Sequence, residues 1–248
     1  MQHVLDLQNL NAEKLNSSFY IYDKERIERN IDRFTNIGYE HTEVYFASMA
    51  NDNPYLLGMV RGRGMGIFVN SLKHLRLARQ CGFPTDRIIF ASTGLTRTMM
   101  QHLIETGVRV HLDSLSQIEL FGSLSPGVDV GLRLNTSERS RISPFTGNES
   151  RIGIQDHEIS EAIAICEKHD LRVIGTHVYI GTDIVSVDEM MQGITRSLEL
   201  SNRFPELQYV DLGGGFPLDE QMFDFADYRQ RVSEVMAAYS QAARGQSV

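Results

Sequence analysis

The chain has 248 residues, of which 42% are hydrophobic, and its 32 acidic against 24 basic side chains give a net charge of −8. This composition suits one large globular domain, residues 1–248, with a substantial core. The acidic balance argues against a nucleic-acid partner, and no apolar run approaches the roughly 20 residues of a membrane-spanning helix.

The first residues, MQHVLDLQNLNAEK, carry acidic side chains early and lack the apolar segment of a signal peptide. We therefore expect a cytoplasmic protein. Its two cysteines, Cys81 and Cys166, lie in helical patterns and are interpreted as small core residues rather than a disulfide or metal pair. An early strand is predicted at residues 19–23 (FYIYD), and a helix is predicted at residues 24–36.

From residue 43 onwards, short apolar runs alternate with amphipathic stretches. The runs are apolar on both faces, as buried parallel strands are, and predict strands at 43–48, 66–69, 87–92, 109–114, 129–135, 172–181 and 209–214. The stretches between them predict helices at 53–62, 71–80, 96–106, 114–122, 157–169, 186–202 and 225–243. Helix caps are predicted at Ser71, Thr96, Ser114 and Ser186, with C-terminal glycines at Gly82 and Gly107.

Seven successive strand–helix units favour an α/β fold, a TIM-type barrel whose active face lies at the carboxyl ends of the strands. No eighth strand is found between the helix at 225–243 and Val248. We therefore expect an open barrel in which the strands at 43–48 and 209–214 have unpaired edges that invite pairing with another chain. A homo-oligomer or a complementing chain is the expected partner.

Polar features cluster at the expected active face. Arg133 ends the fifth strand, where a buried arginine needs an anion or a carboxylate such as Asp113. The polar segment 136–151 follows, and loops of that length are usually functional or mobile. After the seventh strand, the three glycines 213–215 allow backbone N–H groups to approach a phosphate, although a tight turn would explain the same residues.

Two strings, FASMAN at 46–51 and YVDLGGGFP at 209–217, carry a family resemblance. They are similar to signatures of the pyridoxal-phosphate decarboxylases that act on ornithine, arginine and diaminopimelate, which have an alanine racemase-like barrel. The resemblance covers residues 17–245 and corresponds to the N-terminal barrel domain of that family. It implies pyridoxal 5′-phosphate as cofactor, and it implies that an eighth strand with an E-P-G-R-like turn and a β-rich domain would follow.

The same resemblance exposes departures from the family. Its first strand ends in Y-A-x-K-A-N, and the lysine that forms the Schiff base with the cofactor is replaced here by Met49, whose thioether cannot form an imine. Its sixth strand reads H-x-H-x-G-S, which puts Tyr179 at the position of the ring-stacking histidine. Phe68 and His74 replace two acidic residues of the second strand and its helix. Lys73, next to His74, is the alternative amine.

The resemblance assigns cofactor-binding positions to Arg133, Tyr179, Gly181, Thr182, Gly213, Gly214 and Gly215. Ser150, Arg151, Ile152 and Gly153 match an S-K-F-G-like motif of the family. His177 is interpreted as a hydrogen-bonded core histidine. No residue is assigned a catalytic role with confidence, and no metal site is expected.

Two functions remain open. The first is an amino-acid decarboxylase-like protein with degenerate catalytic positions, active in a larger or oligomeric assembly. The alternative is a non-catalytic member that binds pyridoxal phosphate or another phosphorylated ligand without covalent attachment, or that regulates an active paralogue. A small amino acid or a phosphorylated molecule is the expected ligand in either case.

Overall fold

The structure, a computed structural model, describes residues 18–136, 147 and 150–245. Most of the polar segment 136–151 lies outside the described residues, so the expectation about that loop stays a prediction. In the described part of the chain no helix is long and apolar enough to cross a membrane.

Eight helices and seven strands alternate along the described chain. The helices are α1 (Lys24–Thr35), α2 (Pro54–Gly62), α3 (Leu72–Gln80), α4 (Arg97–Thr106), α5 (Leu115–Leu124), α6 (Ile159–Lys168), α7 (Val187–Ser201) and α8 (Phe225–Gly245). The strands are β1 (Tyr45–Ala47), β2 (Gly66–Val69), β3 (Ile88–Ala91), β4 (Arg109–Leu112), β5 (Asp129–Leu134), β6 (Arg172–Val178) and β7 (Tyr209–Asp211). Each of the seven strands expected from residue 43 onwards is present.

The seven strands form one parallel sheet in the order β1 to β7, which curls into a half-barrel with the helices around it. The prediction of a barrel of this kind is therefore confirmed. Within the described residues β1 pairs with β2 alone and β7 with β6 alone, so each has one open edge. Both edge strands are only three residues long, and short edge strands limit the backbone that is left unpaired.

Local sequence explains where the helices begin. The side chains of Ser71, Thr96, Ser114 and Ser186 each accept a hydrogen bond from a backbone N–H in the first turn of the following helix. These caps satisfy N–H groups that have no partner inside the helix. Gly107 ends α4 with a φ of 68°, a left-handed conformation that glycine adopts without steric cost. All four predicted N-caps are confirmed.

The first and last helices meet across the open side of the sheet. The ring of Phe34, in α1, packs edge-on against Phe216 with centroids 4.9 Å apart and against Phe225 at 5.5 Å. Further along, the Tyr39 hydroxyl lies 2.6 Å from Ser240 Oγ in α8. Aromatic contacts of this kind stabilise beyond the area they bury. They join the two ends of the described chain although β1 and β7 do not pair.

The prediction of an early strand at 19–23 is wrong. This segment has no regular secondary structure, and Tyr20 is 89% exposed. A strand forms only against a partner, and within the described residues no strand of the sheet pairs with this segment. Asp23 instead caps α1, because its carboxylate accepts the N–H of Arg26 at 3.0 Å.

Both cysteines are free thiols. Cys166 is 4% exposed and belongs to the main hydrophobic core, and Cys81 packs against the same core from a half-buried position. Burial raises the pKa of the Cys166 thiol to about 11, so this side chain is a neutral core residue at physiological pH.

The open edges of β1 and β7 lead to a prediction about the 248-residue chain. Unpaired apolar edges cost free energy, at about 1–3 kcal/mol for each backbone group that is buried without a partner. We expect self-association in sizing chromatography, or a broad thermal transition, and we expect a complementing chain to sharpen that transition. A clean monomer with a sharp, reversible melt would contradict this and would mean that the α1–α8 contact alone seals the open side.

Candidate functional site

The residues predicted for the site gather at the carboxyl ends of β5, β6 and β7. Arg133 lies near the end of β5, Tyr179 and Gly181 follow β6, and the glycine turn follows β7. Contacts between these elements are direct, since Gly213 lies against the carbonyl of Val178. In a parallel barrel this end of the sheet is where ligand-binding loops converge.

Two of the three glycines in the turn are required by the fold. Gly213 has a φ of 73° and Gly215 a φ of 104°, and both values disfavour a residue with a side chain. A Cβ on Gly213 would collide with the carbonyl oxygen of Val178, and one on Gly215 would collide with that of Gly181. These two glycines are therefore explained without any ligand.

Gly214 differs from its neighbours. Its φ is not positive, and no atom lies within 4 Å of the place where its Cβ would be. The fold would accept a larger residue there, so the open space beside Gly214 is available to a ligand. A backbone without a side chain lets a bound group approach the N–H closely.

The turn offers a limited set of free donors. The N–H of Gly213 is already used, because it donates to Asp211 Oδ1 at 2.9 Å. No hydrogen bond among the described residues uses the N–H of Gly214 or Gly215, whereas the carbonyl of Gly215 accepts from Ile184 at 2.9 Å. Gly213 thus shapes the turn, and Gly214 and Gly215 supply its available N–H groups.

Arg133, Tyr179 and Thr182 lie next to one another. The guanidinium carbon of Arg133 is 5.8 Å from the centre of the Tyr179 ring, a cation–π distance. The hydroxyl groups of Tyr179 and Thr182 are hydrogen-bonded. Burial lowers the pKa of Arg133, and the charge of Asp113 partly offsets that lowering. No direct ion pair joins Arg133 and Asp113 among the described contacts. The alternative explanation, that Arg133 is one half of an ion pair, is therefore supported by this electrostatic effect but not by a direct contact.

Asp113 is a buried carboxyl with one oxygen, Oδ2, that has no hydrogen-bond partner among the described residues. Burial raises its pKa to about 6, and the positive charge of Arg133 works against that rise. Near neutral pH a small change of surroundings would therefore change its protonation.

The residue that the resemblance assigns to the family's lysine position has an apolar, accessible side chain. Met49 follows β1 and is 44% exposed. Nearby, Lys73 in the first turn of α3 places its Nζ 2.6 Å from Asp52 Oδ2, and its side chain is 71% exposed. His74 Nε2 lies 3.7 Å from the same carboxylate oxygen. The hydrogen bond and charge of Lys73 lower the pKa of Asp52, so this alternative amine is held as an ion pair at the rim.

Inside the curled sheet, a row of four residues crosses four strands in register. His111 on β4 pairs with Gly131 on β5, which pairs with Gly175 on β6, which pairs with Tyr209 on β7. Because the two middle residues lack side chains, the His111 and Tyr209 rings reach each other, stacked at 5.9 Å with Nε2 2.9 Å from the hydroxyl. A Cβ on Gly131 would collide with His111.

The next row towards the active face carries charge. His177 on β6 pairs in register with Arg133 and Asp211, and its Nδ1 lies 2.9 Å from Asp211 Oδ2. The interpretation of His177 as a buried histidine with a polar partner agrees with this. The Phe68 ring packs on His177 with centroids 5.1 Å apart, so it lines the interior with an aromatic face.

The ionisable groups of the two rows shift each other's pKa values. Burial lowers the pKa of His111 to about 3, and the positive charges of His177 and two arginines act in the same direction. Burial would raise the pKa of Asp211, but the charge of His177 and its hydrogen bond outweigh burial and lower that pKa to about 2. Sequence reasoning missed His111, although a histidine within the apolar strand RVHL was the available signal.

The sequence of this chain is similar to those of known proteins. Residues 24–248 match the family model described as "Pyridoxal-dependent decarboxylase, pyridoxal binding domain". The diaminopimelate decarboxylase of Methanothermobacter thermautotrophicus is 24% identical over 238 residues, which are 90% of this chain and 56% of that protein. A probable chloroplastic diaminopimelate decarboxylase of Oryza sativa is 28% identical over 215 residues, 81% of this chain and 44% of that protein.

Solved structures share the fold. The diaminopimelate decarboxylase of Helicobacter pylori, crystallised with L-lysine, superposes with a TM-score of 0.80 at 18% identity over 88% of this chain and 60% of its own. The arginine decarboxylase of Paramecium bursaria Chlorella virus gives a TM-score of 0.73 at 22% identity over 84% and 56%. The chain spans about half the length of the curated relatives it matches.

The glycine turn gives a prediction on stability. Gly213→Ala should lower the free energy of unfolding by about 2 kcal/mol or more, because it combines a left-handed φ with a steric collision. Gly214→Ala should leave stability unchanged or raise it by up to about 1 kcal/mol, because a strain-free alanine restricts the unfolded chain. Urea unfolding of both variants measures the difference, and equal losses would show that Gly214 is also structural.

Proposed function

The chain belongs to the family of pyridoxal-dependent decarboxylases, with residues 24–248 forming the pyridoxal binding domain, and from that premise we propose that it holds pyridoxal 5′-phosphate by the phosphate without a covalent link. It is then a decarboxylase-like barrel whose catalytic positions are degenerate. The observation that carries the proposal is Gly214, a glycine that neither its backbone conformation nor its packing requires.

The residues at the face suit a phosphorylated pyridine. The N–H groups of Gly214 and Gly215 would hold phosphate oxygens, and an anion at such a backbone turn needs no side-chain charge. The Thr182 hydroxyl would add a donor, and Arg133 a positive charge. The half-buried ring of Tyr179 offers a face on which the pyridine can stack. When bound, this cofactor accepts electrons from a bond broken at the α-carbon of an amino acid.

Lysine chemistry argues against a covalent link. The sequence has four lysines, Lys14, Lys24, Lys73 and Lys168. Lys168 ends α6, at the opposite end of the strands from the glycine turn, and Lys24 begins α1 with its Nζ 3.8 Å from Glu28 and its side chain 60% exposed. Lys14 lies outside the described residues. Lys73 lies in the first turn of the helix that follows β2, and its Nζ is engaged by Asp52 Oδ2 at 2.6 Å.

A second candidate is an active amino-acid decarboxylase in a larger or oligomeric assembly. The names of the relatives favour it, since those compared above are decarboxylases of diaminopimelate or arginine. The chain matches about half of their length, so residues outside this domain or on another chain would complete the site. The substrate is then a small amino acid. A regulatory partner of an active paralogue, and a cytoplasmic location, stay predictions.

Phosphate binding at Gly214 is tested by a paired substitution. Gly214→Val fills the open space beside the N–H, so the affinity for pyridoxal 5′-phosphate should fall at least tenfold, about 1.4 kcal/mol. Gly58→Val in α2 is the matched control, because Gly58 also has no atom within 4 Å of its Cβ position and lies on an outer helix. Calorimetric titration measures both.

The same titration with pyridoxal, which lacks the phosphate, separates the ring from the phosphate contribution. It should bind weakly to the wild-type chain and be insensitive to Gly214→Val. A folded Gly214→Val variant that binds pyridoxal 5′-phosphate as tightly as wild type would contradict the proposal and leave the turn purely structural.

The absence of a covalent link is tested by borohydride reduction followed by mass mapping. The wild-type chain should give no fixed cofactor adduct and no absorbance above about 400 nm of the kind an imine produces. Met49→Lys restores an amine at the end of β1 and should gain both signals. An adduct on the wild-type chain that disappears in Lys73→Met would sink the proposal and support the second candidate with Lys73 as its amine.

A further inference from the structure

A cluster of metal-ligating side chains lies in the interior of the curled sheet, below the glycine turn. His111, His177 and Asp211 each offer one donor atom, and these atoms all lie within 4.8 Å of one another. Within residues 18–136, 147 and 150–245 it is the only group of three such side chains at this spacing. Three strands supply one residue each, so the rigid sheet sets their spacing.

The sequence makes room for this cluster at two positions. A Cβ at Gly131 would collide with the His111 imidazole, and a Cβ at Gly175 would collide with the Tyr209 ring. Neither glycine has a positive φ, so backbone conformation does not demand them. Because these two glycines have no side chains, the His111 ring can lie against Gly131 and the Tyr209 ring against Gly175.

One nitrogen of the His111 ring is buried without a partner. His111 is fully buried, and its Nε2 is 2.9 Å from the Tyr209 hydroxyl. Its Nδ1 has no hydrogen-bond partner among the described residues. A buried polar atom without a partner usually has a specific explanation, such as an ion. With Nδ1 as the metal ligand, the Tyr209 contact at Nε2 would be the second hydrogen bond that a metal-bound histidine typically makes.

The spacing suits a small ion after minor adjustment. Around a tetrahedral Zn²⁺ with bonds of about 2.0–2.2 Å, neighbouring donors lie roughly 3.3–3.6 Å apart. His177 Nδ1 and Asp211 Oδ2, at 2.9 Å, are slightly closer than that. The widest pair of donor atoms is up to 4.8 Å apart. These two atoms would have to approach by about 1.3 Å, through side-chain rotation, to reach the spacing around a tetrahedral ion.

We propose that His111, His177 and Asp211 form a site for a Zn²⁺-like divalent transition-metal ion. Two nitrogens and one oxygen are a donor set that zinc prefers and that Mg²⁺ and Ca²⁺ do not. The set leaves a fourth coordination position for water or a ligand.

The ion has a route into the site. The side chain of Asp211 is 23% exposed and that of His177 is 10% exposed, so the cluster is not sealed from solvent. Asp211 also accepts the N–H of Gly213 through its other oxygen. Metal binding would therefore stiffen the base of the glycine turn, but it needs no cofactor and does not depend on the proposed function.

Zinc titration of the full chain, stripped with a chelator and free of pyridoxal phosphate, tests the site. Calorimetry should show one Zn²⁺ per chain, and Co²⁺ should give the visible absorption bands of a tetrahedral nitrogen–oxygen site. His177→Gln and Asp211→Asn should each weaken binding at least tenfold. His157→Gln is the matched control, because His157 is an exposed histidine on a surface turn and should leave the titration unchanged.

Tyr209→Phe keeps the ring and removes only the hydroxyl beside His111 Nε2, so it tests the site even where a ligand variant unfolds. Loss of that second hydrogen bond should weaken binding about tenfold or more while circular dichroism stays unchanged. The proposal is overturned if Zn²⁺ does not bind, if Co²⁺ stays octahedral, or if binding is lost in His157→Gln and kept in His177→Gln, Asp211→Asn and Tyr209→Phe.

Discussion

The carboxylate of Asp211 is the group on which the interior of this protein most depends. One oxygen holds the N–H of Gly213 at 2.9 Å, and the other lies 2.9 Å from Nδ1 of His177. A partly buried carboxylate such as this one, which is 23% exposed, is costly unless it is paired in this way. The pairing joins the last strand of the sheet to β6 and shapes the turn at the active face. The same side chain therefore holds His177 and shapes the base of the glycine turn.

The proposed cofactor site depends on two different kinds of contact. Backbone N–H groups at Gly214 and Gly215, with Thr182 and Arg133 nearby, suit a phosphate, and such contacts depend on the shape of the turn more than on side-chain chemistry. Covalent attachment would depend on a single amine, and the resemblance assigns Met49 to that position. A phosphate site of the proposed kind does not require that amine, because its affinity would be supplied by different atoms.

The open side of the sheet is bridged by packing rather than by strand pairing. The Phe34 ring lies 4.9 Å from Phe216, and Tyr39 lies 2.6 Å from Ser240 in α8, while β1 and β7 keep unpaired edges in the described chain. Helix packing buries apolar surface without using backbone hydrogen-bond groups. It therefore stabilises the half-barrel but leaves two edges able to accept another strand.

The sequence by itself determined the succession of parallel strands, the helix caps and the glycine turn, because these depend on local periodicity and on hydrogen bonds between near neighbours. It predicted a strand at 19–23 that did not form, since a strand needs a partner that local pattern cannot supply. Only the tertiary structure brought His111 onto Tyr209 and set His177 against Asp211. Those contacts depend on the register of β4 to β7 and on the side chains missing at Gly131 and Gly175, which no single segment encodes.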